Sequence, residues 1–149
     1  MPPKKSSGSD SGDKRREEER ALEKMDLFEA IDSDDIEKVK DLLNRFPYSI
    51  NFISSPPLLE AAYFGNVEIV NTLLAHEGID VNLKDDDGQT ALMVASRKGN
   101  LNIVNTLLEK KGIDVNLKDK DNINALMYAT RNGHTEIANV LLAYLNRMN

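Results

Sequence analysis

The chain has 149 residues, 40% of them apolar, no cysteine and a formal net charge of −6, which suits one domain with a tail and leaves no material for a second core. The missing cysteines exclude a disulfide framework and thiolate metal sites. No apolar run approaches the ~20 residues that cross a bilayer, and Met1-Pro2-Pro3-Lys4-Lys5 is not followed by the apolar stretch of a secretory signal, so the expectation is an intracellular, cytoplasmic protein with no membrane association.

Residues 1–12 hold Pro, Lys, Ser, Gly and Asp with no large apolar side chain beyond Met1, and such a segment cannot bury enough surface to offset chain entropy. It is predicted to be a disordered tail. Residues 13–26 are dense in charge of alternating sign, with Arg16 and Glu19, and Arg20 and Glu23, three apart, which predicts a helical lead-in. Lys4-Lys5 and Lys14-Arg15-Arg16 resemble a short two-part nuclear import signal, but Glu17-Glu18-Glu19 cancels the patch, and solvated charge is the preferred reading. The tail is nearly balanced, with seven Lys/Arg and six Asp/Glu in residues 1–25, whereas residues 26–149 hold twelve against nineteen. An acidic body has no footprint for phosphate backbones, so the folded part is not expected to bind nucleic acid.

From residue 27 onward the chain repeats itself. Gly78-Ile79-Asp80-Val81-Asn82-Leu83-Lys84-Asp85 returns 34 residues later as Gly112-Ile113-Asp114-Val115-Asn116-Leu117-Lys118-Asp119. The pairs Leu42-Leu43, Leu73-Leu74, Leu107-Leu108 and Leu141-Leu142, spaced by 31, 34 and 34 residues, mark four copies. A unit recurring at such a period is one supersecondary element that buries its apolar face only by stacking on its neighbours. Upstream of each Leu pair lies an apolar set at helical spacing: Ile36 and Val39; Val67, Ile69 and Val70; Leu101, Ile103 and Val104; Ile137 and Ala138.

A shorter helix precedes each of these, marked by Leu27 and Ala30, Leu58 and Ala61, Leu92 and Ala95, Leu126 and Ala129. Gly65, Gly99 and Gly133 separate the two helices at one phase, where a left-handed backbone is expected, and Asp34 takes that place in the first copy. Thr90 and Asn124 are placed to cap the short helices, Pro57 fits a first helical position, and Glu68 and Glu136 suit the first turn of the second helices. Between copies, Ile79-Asp80-Val81-Asn82 and Ile113-Asp114-Val115-Asn116 read as extended segments leading into hairpin turns. The first such finger is three residues shorter, with Ser54-Ser55-Pro56-Pro57 in place of the turn.

Helix, glycine, helix and then a Val-Asn hairpin resembles the ankyrin-repeat family over residues 27–149, with repeats near 27–49, 50–79, 80–113 and 114–149. Thr90-Ala91-Leu92-Met93-Val94-Ala95 stands where the family has Thr-Pro-Leu-His-x-Ala, and Gly99-Asn100-Leu101-Asn102-Ile103-Val104 follows its second-helix pattern. The resemblance implies an all-α solenoid of four helix-turn-helix repeats with β-hairpin loops. Leu59, Met93 and Met127 occupy the family's His position, so apolar packing is expected there. A tetratricopeptide array shares the period of 34 but lacks hairpins, and its Trp and Leu-Gly landmarks are missing.

Catalytic chemistry is sparse. Asp85, Asp86 and Asp87 form the densest carboxylate cluster, but on a turn tip with no apolar pocket to raise a pKa, and neither calcium-loop spacing nor a nucleophile elbow nor a phosphate-binding Gly loop occurs. His76 and His134 have no second ligand at helical spacing; a structural cap is the reading for His134. The chain is therefore read as a non-enzyme without cofactor or metal.

The resemblance implies that another protein is bound by a monomer, in a concave groove lined by the hairpin tips and the exposed side of the short helices. Carried onto this chain, those positions are Lys84, Asp86, Asp87 and Gln89, then Lys118, Lys120, Asp121 and Ile123 on the fingers, and Asp32 and Ser33, Tyr63 and Phe64, Arg97 and Lys98, Arg131 and Asn132 on the helices, with Tyr128 added from the fourth repeat. Tyr63 and Phe64 stand out, since two consecutive aromatics cannot both face the core of one helix, and aromatic side chains often dominate binding energy. The competing reading is that the shortened finger lets one ring fold down into its space. The expected role is adaptor, scaffold or stoichiometric regulator; the alternative is a regulatory ankyrin domain of a larger enzyme or channel, against which the polar finish at Asn146, Arg147 and Asn149 speaks.

Overall fold

A computed structural model describes residues 6–47, 51 and 56–148, and the side chains of all of these but 6–11 and 22–24. Its helices are α1 (Ser6–Asp32), α2 (Ile36–Arg45), α3 (Pro57–Phe64), α4 (Val67–Ala75), α5 (Ala91–Lys98), α6 (Leu101–Leu108), α7 (Ala125–Arg131) and α8 (Thr135–Met148). They pack in consecutive pairs, and the pairs stack so that α1, α3, α5 and α7 form one layer and α2, α4, α6 and α8 the other. The marker residues of each copy fill the space between layers. Leu27, Ala30, Ala61, Ile69, Val70, Leu73, Ala95, Ile103, Val104, Leu107, Ala129 and Leu141 are all fully buried, and the alanines let helices approach closely, as small side chains at a packed contact do.

Local signals act where they stand in the chain. Gly65 and Gly99 end α3 and α5 with φ of 78° and 81°, Gly133 follows α7 at 73°, and Asp34 takes the same left-handed turn at 60° in the first repeat. Thr90 and Asn124 accept from the backbone N–H of Met93 and Met127, Asp35 accepts from that of Lys38, and Pro57 opens α3.

Neighbouring repeats are bolted together by side chains at equivalent positions. Asn51 Nδ2 donates to the Gly78 carbonyl while its Oδ1 accepts from Asp80 N–H; Asn82 does the same with Gly112 and Asp114. Just past the inter-helix glycines, Asn100 donates to the Ala62 carbonyl and the His134 ring reaches the Arg97 carbonyl, at 3.1 and 3.0 Å. His134 thus bridges repeats three and four, in addition to standing directly before α8, where its carbonyl accepts from the Ala138 N–H. Lys110 Nζ, in the loop after α6, donates back to the Leu74 carbonyl.

Three expectations are corrected. The helix begins at Ser6, ahead of the Asp13 start that the charge pattern indicated, and runs unbroken into the first repeat, so only 1–5 of the tail lie outside the described residues. The fingers are not β-hairpins: among the described residues there is no strand. Their tips are held by the aspartate that opens each turn, Asp85 accepting from Asp87 and Gln89 N–H and Asp119 from Asp121 and Ile123 N–H, beside one backbone rung to Gln89 and to Ile123. A short side chain that satisfies two N–H groups supplies what a strand ladder would. Third, Leu59 and Met93 are buried at the family's His position but Met127, in the last inner helix described, is 44% exposed. The shortened first finger falls on 52–55, outside the described residues.

Candidate functional site: the inner-helix and finger surface

Each inner helix ends in a pair of residues just before its left-handed turn, and stacking sets these pairs side by side. Tyr63 and Phe64 are both exposed, by 48% and 49%, so neither ring folds into the body. Their rings meet edge to face at 5.2 Å, and Lys98, from the next repeat, sets its ammonium 4.4 Å from the Tyr63 ring centre. The result is a preformed, two-repeat patch of aromatic area with a cation at its edge.

Beside it lies a second cluster that the groove positions, taken one by one, do not announce. The Tyr128 hydroxyl donates to Asp119 Oδ2 and accepts from Gln89 Nε2, and Gln89 Oε1 accepts from Arg97, whose guanidinium lies over the Tyr128 ring at 5.6 Å. Two fingers and two inner helices are tied by one network. Burial works to raise the Asp119 carboxyl, but the Tyr128 hydroxyl, the N–H groups of Ile123 and Asp121 and the nearby Lys84 favour its ionised form, and the balance falls below the ordinary carboxylate range. The same burial and the same carboxylate push Tyr128 upward. Asp119 was legible only as the counterpart of Asp85 in the duplicated Leu-Lys-Asp.

Of the remaining positions, Asp86, Asp87, Lys118, Lys120, Asp121, Arg131 and Asn132 are exposed and Ile123 is half-buried. Several of them also brace the fingers: Lys84 Nζ donates to the Lys118 carbonyl, Lys120 N–H to the Asp87 carbonyl, and Asn132 Nδ2 to the Tyr128 carbonyl. Ser33 Oγ is spent on the Glu29 carbonyl at 2.7 Å. Asp32 faces Glu60, a residue that no sequence signal singles out. Burial, the Asp32 charge and a hydrogen bond between the two carboxyls raise Glu60 above its ordinary range.

A carboxyl whose folded value is raised holds its proton more tightly in the folded state, so it costs stability at neutral pH and the cost fades as pH falls through the raised value. Glu60→Gln is therefore expected to raise the neutral-pH melting temperature relative to wild type, with the advantage shrinking as pH falls into the carboxylate range. Paired thermal scans across pH check this; a variant less stable than wild type at pH 7 would contradict it.

A family model described as ankyrin repeats, three copies, matches residues 27–119 and again 58–149. The chain belongs to the ankyrin-repeat family, whose domains are typically non-catalytic modules that bind proteins. It is 41% identical over 68 residues to the human transient receptor potential cation channel subfamily A member 1, a match that covers 44% of this chain and 6% of the channel. Among the described residues no helix is long and apolar enough to cross a membrane.

Proposed function

We propose that this chain is an adaptor, scaffold or stoichiometric regulator that binds a partner protein along the surface of α3, α5 and α7 and the finger tips. The observation that carries the reading is the exposed Tyr63–Phe64 pair under Lys98, apolar area left in water where the counterpart residues are charged or polar. Charge adds direction: Asp32 on α1 lies at one end of this row of helices and Arg131 on α7 at the other, a polarity that orients a partner and speeds encounter more than it adds affinity. A second reading, a regulatory segment of a channel-like assembly, draws on the partial match to the cation channel.

Tyr63→Ala with Phe64→Ala is expected to weaken binding to a partner captured with the intact chain by at least about tenfold, or about 1.4 kcal/mol, while circular dichroism and the unfolding midpoint stay near wild type, since both rings are half in water already. Calorimetric titration checks it. Unchanged affinity would move the site elsewhere.

A further inference from the structure

Read across the stack, the inner helices carry an order of chemistry that no single repeat shows. Asp32 holds in α1 the position that Tyr63 holds in α3, Arg97 in α5 and Arg131 in α7. One structural position thus runs acid, aromatic, base, base. The next position along runs Ser33, Phe64, Lys98 and Asn132, so the two positions agree in placing aromatic area at α3 and positive charge beyond it.

The charges on either side of the aromatics have no opposite charge beside them. Among the described residues the ion pairs are Lys40 with Glu37 and Arg45 with Asp41, both within α2. At α1 an open trough of about 560 Å³ is lined by Met25, Asp26, Phe28, Glu29, Asp32 and Ser33. Met25 is 68% exposed there, and Asp32 shares a hydrogen bond with another carboxyl, that of Glu60. A Lys or Arg side chain suits such a trough, its aliphatic stem lying on Met25 while its head reaches the carboxylates. At α5 the sign is reversed. Arg97 is engaged with Gln89 and the Tyr128 ring, whereas Lys98, set against the Tyr63 ring, has no carboxylate partner among the described residues. The finger tips carry both signs, Asp86 and Asp87 against Lys118 and Lys120, and add no direction.

Resting on the reading of this surface as the partner site, we propose that the partner enters it as an extended segment with an apolar side chain between a basic and an acidic one. The basic residue lies over α1, the apolar one on Tyr63 and Phe64, and the acidic one at Lys98. Packed helices lie about 8 to 10 Å apart and an extended chain advances roughly 3.3 Å per residue, so each charge stands within about three residues of the apolar side chain. An amphipathic helix fits less well, because it needs a continuous apolar stripe, and the row turns charged on both sides of α3. A segment of a single charge sign is repelled at one side or the other, which is how the surface selects.

The probe is a phage-displayed library of random peptides selected on the full chain, with the enriched peptides synthesised and titrated by fluorescence anisotropy. Enriched sequences are expected to place an apolar residue between a basic and an acidic one at this spacing. Asp32→Lys and Lys98→Glu should each weaken their binding by at least about tenfold, as should Tyr63→Ala with Phe64→Ala, while far-UV circular dichroism and the unfolding midpoint stay near wild type. Selection repeated on the Asp32→Lys variant should lose the basic residue. Peptides that need Tyr63 and Phe64 but ignore both charge reversals overturn this inference and leave the partner site in place. Peptides indifferent to the aromatic pair remove the site, and the inference with it. A selection that enriches nothing overturns the extended segment as ligand.

Discussion

Leu107→Ala is expected to cost roughly 2 to 5 kcal/mol of folding stability. Leu107 is fully buried in α6 and lies between Leu73 and Leu141, its equally buried counterparts in the adjoining repeats. Truncation removes apolar burial and leaves a cavity that rigid neighbours on both sides do not refill, which is why such substitutions fall in the upper part of the range. Against a total stability on the order of 5 to 15 kcal/mol, that is a large share. Because each repeat touches only its neighbours, the damage concentrates at the junctions of α6 with α4 and α8. Urea titration followed by far-UV circular dichroism should show an earlier midpoint and a broader transition. Leu142→Ala, at a position 45% exposed, serves as the control and should stay within about 0.5 kcal/mol.

Gly99→Ala follows, at about 2 to 3 kcal/mol from two separable causes. The backbone at Gly99 has φ of 81°, a conformation that costs a side-chain-bearing residue roughly 1 to 2 kcal/mol. A Cβ there would also lie 2.6 Å from His134 Cε1, so the imidazole must swing away and give up its bond to the Arg97 carbonyl, a further loss of about 0.5 to 1.5 kcal/mol. Gly133 isolates the first cause: its φ is 73° but a Cβ would meet nothing within 4 Å. Gly133→Ala should therefore be the milder variant, by roughly the value of one inter-repeat hydrogen bond. Equal losses in the two variants would mean that the His134 bridge contributes nothing.

Repetition made the fold readable. The Leu pairs, the glycine phase and the Thr90 and Asn124 caps each act locally, and a local signal copied four times at a fixed spacing leaves little freedom of architecture. The finger geometry was less legible, because Ile79-Asp80-Val81-Asn82 has strand-like composition, while the choice between a ladder and an aspartate-braced turn is made by where the Asp85 and Asp119 carboxylates reach. His134 and Asn100 gave no warning of their inter-repeat bonds, since those partners lie 37 and 38 residues away.

For the candidate site, exposure of an aromatic at 63 or 64 followed from helix geometry alone, and the structure exposes both. What sequence did not reveal is how positions combine. Gln89, Arg97 and Tyr128 appeared as three separate surface residues, yet they form one network with Asp119, and Glu60 meets Asp32 only because α3 packs on α1. Met127 shows the opposite failure. Its sequence context matches Met93, yet Met127 is 44% exposed where Met93 is buried, because exposure depends on what packs against α7 and not on the local residues.

The chain has four tyrosines and four phenylalanines, few enough for each ring to be followed by NMR. Titrating the captured partner into the intact chain should shift the Tyr63 and Phe64 ring resonances while leaving Tyr144, half-buried beside Leu108 and Val140 on the α6–α8 side, unmoved. Shifts confined to Tyr144, with Tyr63 and Phe64 unchanged at saturation, would contradict a partner site on the inner helices.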